Sequence, residues 1–204
     1  MKEFIIAMIT LLGGFFLGKH QERWKNKAEI ERQKRKLFCL IQDLESRREK
    51  DLECINDAFS TAILVEKGLM KKDQFITLSL PRKIEGKPIE DTFYSVIESF
   101  EFGYREGVRA LLVNIHAVNK QLGCLYEKFN SEENLTSNDL INIHGQIITY
   151  SYLVHELNMK KERYIYNGKS NKELLDVAAK AFGVNYHIDD IVAERLKHTT
   201  KTSS

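Results

Sequence analysis

The sequence predicts an all-α protein: an N-terminal single transmembrane helix continuing into a long juxtamembrane helix, then a cytoplasmic antiparallel helical bundle. Three observations carry this expectation. Residues 4–18 hold no charge, residues 19–67 hold neither Gly nor Pro, and two later stretches repeat apolar residues at alternating three- and four-residue steps. Composition agrees. Of 204 residues, 43% are hydrophobic and 29% charged, with a net charge of +2, which suits a folded core and argues against disorder. Two prolines are too few for a turn-rich β-sandwich.

The first element is the run Phe4–Gly18, FIIAMITLLGGFFLG. As a helix it spans about 22 Å, against a hydrocarbon core of about 30 Å, so it is short for a span. Lys2 and Lys19 can extend it by snorkelling, and Trp24 falls where an interfacial aromatic sits. A cleaved signal peptide would want a strongly basic start and a small-x-small site, and neither is present. A helix buried in a soluble core is the other competing reading. The anchor reading is preferred because residues 19–36 carry eight Lys/Arg against three Glu, a net +5. Such a flank stays in the cytoplasm, which places the body there and the protein at the cell membrane. Lys19, Arg23, Trp24, Lys25 and Lys27 are the expected lipid-headgroup contacts. Thr10, Gly14 and Gly18 recur every four residues as a small-residue ridge. It offers close packing to a partner helix or a second copy, or simply accompanies a thin membrane.

Next comes one long helix through about residue 69, charged at first and amphipathic from Leu37. Its seam is Ile30, Lys34, Leu37, Ile41, Leu44, Arg48, Asp51, Ile55, Ala58, Ala62, Val65, Leu69. Arg48 and Asp51 interrupt it, either as a buried pair or because the helix drifts and Leu52 takes the inward place. Residues 70–90 read as a loop, with Pro81, Gly86 and Pro88 as breakers. A helix restarts near Pro88, and Gly103 and Gly107 are expected to kink or divide it. Two seams follow: Val108, Leu111, Ile115, Val118, Leu122, Leu125, Phe129, and then Leu140, Ile143, Ile147, Tyr150, Val154, Leu157. The polar loop Asn130–Ser137 between them predicts an antiparallel hairpin, with the long first helix as its third face. Ser170 and Glu173 form a capping box for a helix Lys172–Phe182 that ends at Gly183. A last short helix runs from about Asp189 to Leu196, and 197–204 is a disordered tail. The domains are therefore an anchor 1–18, a basic helix 19–36, a bundle 37–196 and the tail.

The chemistry-bearing residues give no catalytic, cofactor or metal site. Three cysteines, Cys39, Cys54 and Cys124, form no zinc spacing, and Cys39 and Cys124 sit among apolar neighbours as small core residues. None of His116, His144 and His155 has a Glu three residues before it, so the inward Glu-x-x-His of di-metal bundles is missing. His187, Asp189 and Asp190 read as a helix cap. Tyr150, Tyr152, Tyr164 and Tyr166 read as one helix's half-buried tyrosines. No phosphate loop, dinucleotide fingerprint or nucleophile elbow occurs. The basic block lacks interleaved aromatics beyond Trp24, which argues against nucleic acid. The expected function is a membrane-anchored cytoplasmic helical interaction or sensory module without a catalytic site. Its expected partners are the lipid bilayer, an unidentified protein and a second copy of the chain. The alternatives are a membrane-perturbing effector of toxin or defence type, acting through self-association of the glycine-ridged helix, and an enzyme with an unrecognised site.

Overall fold

The computed structural model describes residues 2–70, 79–131, 135–166 and 168–193, with side chains at 8, 14 and from 17 onward in the first stretch. Among the described residues every regular element is helical. α1 (Lys2–Glu66) is a single helix of 65 residues, about 98 Å long at 1.5 Å per residue. α2 (Lys87–Val96), α3 (Phe102–Asn130), α4 (Ser137–Lys160) and α5 (Asn171–Phe182) follow, and residues 188–193 are helical again. The end predicted at Leu196 and the tail 197–204 lie outside the described residues.

α4 is the central helix. It runs antiparallel to α1: Asn56 meets His144, Glu45 meets His155 and Lys34 meets Glu162. It also runs antiparallel to α3, as the predicted hairpin requires, with Lys128 on Asp139 at the turn and Gly107 against Leu157 at the far end. α5 covers a third side, its Leu175 against Gly145 and its Phe182 edge-on to Tyr152. The seams explain this arrangement. In α3, Val108, Leu111, Ile115, Val118, Leu122 and Leu125 are all buried, while Phe129 at its end remains 40% exposed. In α4 all six predicted positions, Leu140 through Leu157, are buried. In α1 burial begins at Leu37 and continues through Ile41, Leu44, Ile55, Ala58 and Ala62. Fully burying one such aliphatic side chain contributes about 1.5–3 kcal/mol, so these stripes dominate the stability of the bundle.

Caps set the helix ends. Thr136 and Asp139 form a reciprocal capping box, with the Asp139 amide donating to the Thr136 hydroxyl at 3.2 Å. Glu66, the last residue of α1, accepts the Ser137 amide at 2.6 Å, which ties the end of α1 to the start of α4. Ser170 and Glu173 form the predicted capping box, and Gly183 closes α5 in the left-handed conformation at φ 63°. The segment before α2 is clamped by Asn119, which accepts from the Ile84 amide and donates to the Ile84 carbonyl, both at 2.7 Å.

Three expectations are corrected. The chain breaks at the 3-10 turn Ile97–Ser99 and the extended Phe100 and Glu101, not at Gly103 and Gly107. Those glycines lie inside α3 and permit close approach. A Cβ at Gly103 would lie 2.6 Å from the Tyr164 carbonyl oxygen, and one at Gly107 would lie 2.6 Å from the Tyr164 ring. Cys39 and Cys124 are exposed, because each sits two residues from a seam leucine and two residues turn a helix by about 200°. Tyr164 and Tyr166 are not on α4, which ends at Lys160 and passes through the 3-10 turn Lys161–Arg163. Of the two readings at Arg48 and Asp51, the inward place of Leu52 is observed, for Leu52 is buried; Arg48 and Asp51 do not pair, since Arg48 meets Glu45 at 3.2 Å and Asp51, itself buried, meets Arg47 at 3.7 Å.

Among the described residues no helix is long and apolar enough to cross a membrane, so the transmembrane reading gains no support from the structure. The side chains of 4–7, 9–13, 15 and 16, which make up most of the apolar run, lie outside the described set.

Candidate functional site

α1 carries the predicted site residues on a length that the bundle does not cover. From Leu17 through Arg32 every residue is exposed, and the first polar tie to the bundle is Lys34, whose Nζ lies 2.8 Å from Glu162. Lys19, Arg23, Lys25 and Lys27 are exposed along this stalk, as is Trp24 at 68%. The Trp24 indole N–H donates to the His20 Nε2 at 3.1 Å, across one turn. Glu29 accepts from Arg32 and Gln33, each at 2.8 Å, which lowers its pKa and supports the helix locally. Gly14 and Gly18 are exposed, with nothing within 4 Å of a Cβ built on either. The Thr10 side chain lies outside the described residues. The stalk thus presents a basic surface next to an uncharged run.

Inside the bundle a polar inlay joins three helices. The Glu45 Oε1 accepts from Arg48 Nε at 3.2 Å and from His155 Nδ1 at 2.9 Å. The Arg48 guanidinium also stands 4.8 Å over the Phe182 ring, so α1, α4 and the end of α5 meet around the Glu45–Arg48 pair. One turn further along α1, burial pushes the Asp51 carboxyl up and the adjacent Arg47 opposes that shift. Tyr150 lies close enough to feel Asp51, and burial raises its phenol above the ordinary tyrosine range. Deeper still, His144 stacks on Phe59 at 4.5 Å and meets the Asn56 Oδ1 at 2.6 Å. Burial lowers its pKa to about 4, which keeps the ring neutral. Sequence spacing hid the inlay, since Glu45 and Arg48 pair within α1 but His155 arrives from 110 residues away.

A groove of about 640 Å³ opens between α3, α4 and α5. Val113, Ile141, Leu153, Leu174 and Leu175 make its apolar wall, with Asn114, Asn142, Gln146 and Thr149 as neutral polar points. Its lining contains one imidazole, His187, and neither carboxylate nor ammonium. Such a surface suits a neutral, amphipathic occupant. Among the described residues no three His, Cys, Asp or Glu side chains gather as a metal site.

The chain matches no protein-family model, no curated protein and no solved structure.

Proposed function

We propose that this chain is a membrane-held helical interaction module, tethered through the outer half of α1 and recognising a protein partner with its bundle. One observation carries the reading: a single unbroken helix joins a charge-free run, a +5 basic block that is exposed as far as Arg32 and meets the bundle at Lys34, and a buried core stripe. A basic block beside an apolar run is the arrangement that anionic headgroups attract, at about 1 kcal/mol per Lys or Arg close to the surface. The same block would hold the bundle on the cytoplasmic side. The neutral groove between α3, α4 and α5 supports the partner role of the bundle.

Carbonate extraction of membranes from cells making the full chain, or a chain lacking residues 1–18, tests the tether. The full chain should stay in the pellet and the shortened chain should be released. Release of both would end the membrane reading and return the basic block to the acidic surface of a protein or nucleic acid. Protease added outside intact cells should leave the bundle uncut; cleavage there would overturn the orientation.

A further inference from the structure

The chain has one tryptophan. Trp24 stands on the exposed stretch of α1, and its indole meets His20 one turn earlier. The Trp24 Nε1 lies 3.1 Å from the His20 Nε2, and the two rings meet edge to face, with centroids 6.1 Å apart and planes at 68°. The direction of this bond fixes the state of the imidazole. An indole N–H can only donate, so the His20 Nε2 supplies a lone pair and the ring proton sits on Nδ1. The contact therefore belongs to the neutral ring. A proton taken from solvent at Nε2 turns that acceptor into a donor and makes the ring a cation. The indole N–H then loses its acceptor, while the charged ring stays one turn away on the same face.

Place gives this exchange a partner. His20 and Trp24 lie two and six residues beyond Gly18, the end of the charge-free run, which is about 3 Å and about 9 Å of helix. With that run in a bilayer, both rings stand at headgroup depth, where amphipathic rings meet lipid oxygens. The charged groups around His20 all belong to α1. Lys19 adjoins it, Arg23 is three residues on, and Lys27 lies on the same face two turns away. The nearest carboxylate in sequence, Glu22, is two residues away and about 200° round the helix. Among the described residues no other element packs here, since every residue from Leu17 through Arg32 is exposed. A charged His20 thus has cations for neighbours and no carboxylate beside it. An anionic headgroup supplies the missing counter-charge and accepts from both freed N–H groups.

We infer that His20 and Trp24 form an acid-dependent contact with anionic lipid. The neutral imidazole holds the indole N–H within the helix; the charged one releases it and adds a cation, and both turn to the headgroups. The inference rests on the membrane reading above and adds His20 to its lipid contacts.

Two measurements on the full chain test it, each at about pH 7.5 and about pH 5.5, which span the ordinary titration of imidazole. The first is tryptophan emission without vesicles, which reports on this contact because Trp24 is the sole indole. An imidazolium beside an indole quenches it, so emission should fall in acid. The second is flotation with vesicles of phosphatidylcholine alone or mixed with phosphatidylserine. Acid should tighten binding to the anionic vesicles about fivefold, the worth of one added cation near such a surface, and leave the neutral vesicles unaffected. His20→Gln, which can accept from the indole N–H but cannot charge, should lose both responses. His20→Lys should bind the anionic vesicles at about pH 7.5 as the parent chain does at about pH 5.5. Emission that ignores pH, or a tightening that survives His20→Gln, would overturn the inference. If the chain floats equally with both vesicles at both pH values, the His20 contact is wrong and the tether stands. If it floats with neither, the membrane reading falls and this contact with it.

Discussion

The two halves of α1 are the same helix under different support. From Leu37 inward, one stripe of the helix is buried and the rest is solvated, so packing on α4 and α2 holds the conformation. From Leu17 to Arg32 no residue is buried, and the helix rests on its composition and on one-turn contacts such as Glu29 with Arg32 and Gln33. Such contacts are weak singly, and what continues the helix outward is a long run without Gly or Pro. Helicity therefore does not distinguish the halves; burial does. A seam of apolar residues marks where a helix joins a body, and loss of that seam marks where it becomes free for another surface.

Substitutions should separate the halves by size of effect. Leu37, fully buried, and Leu17, 71% exposed, are the same residue type on the same helix. Leu37→Ala should destabilise the bundle by about 3.5 kcal/mol in urea unfolding, whereas Leu17→Ala should leave the midpoint unchanged. Equal effects would erase the comparison.

Acid should act on the bundled half. His144 has a folded pKa of about 4, below its ordinary 6.5, so the fold favours the neutral ring. That stability is fully present above about pH 6.5 and is lost as pH falls toward 4, at a cost of about 3 kcal/mol. Unfolding followed between pH 7 and pH 4 should show this slope. His144→Gln, which can still donate to Asn56 but cannot charge, should flatten it.

A smaller effect belongs to a helix end. Ser170→Ala removes the hydroxyl that accepts the Glu173 amide, and should cost about 1 kcal/mol with faster exchange confined to the first turn of α5. The smallest belongs to the stalk. Replacing Lys19, Arg23, Lys25 and Lys27 with Gln should leave the melting midpoint where it is and weaken binding to anionic vesicles. A lowered midpoint would mean that the stalk packs on the body after all.

Most of the fold was legible because it rests on local periodicity. The α3 and α4 seams, the Ser170–Glu173 box and the Gly183 cap are all written within single helices or turns. What escaped depends on where other chain segments arrive. Gly103 and Gly107 look like helix breakers in isolation, and only the return of Tyr164 shows that they are contact points. Apolar neighbours in sequence suggested burial for Cys39 and Cys124, although their helix faces point away from the seam. The stalk residues were legible as a charge pattern; their exposure needed the structure to show where the bundle begins.

The unbroken course of α1 has a mechanical consequence. Because Lys2 and Glu66 belong to one helix, the outer half cannot turn about its axis without dragging Leu37, Ile41 and Ile55 through the core. It acts as a shaft keyed into its socket. Any torque or lean imposed on the run by its surroundings arrives at the Glu45–His155 contact and, at the far end, at the Glu66 carboxylate that caps α4.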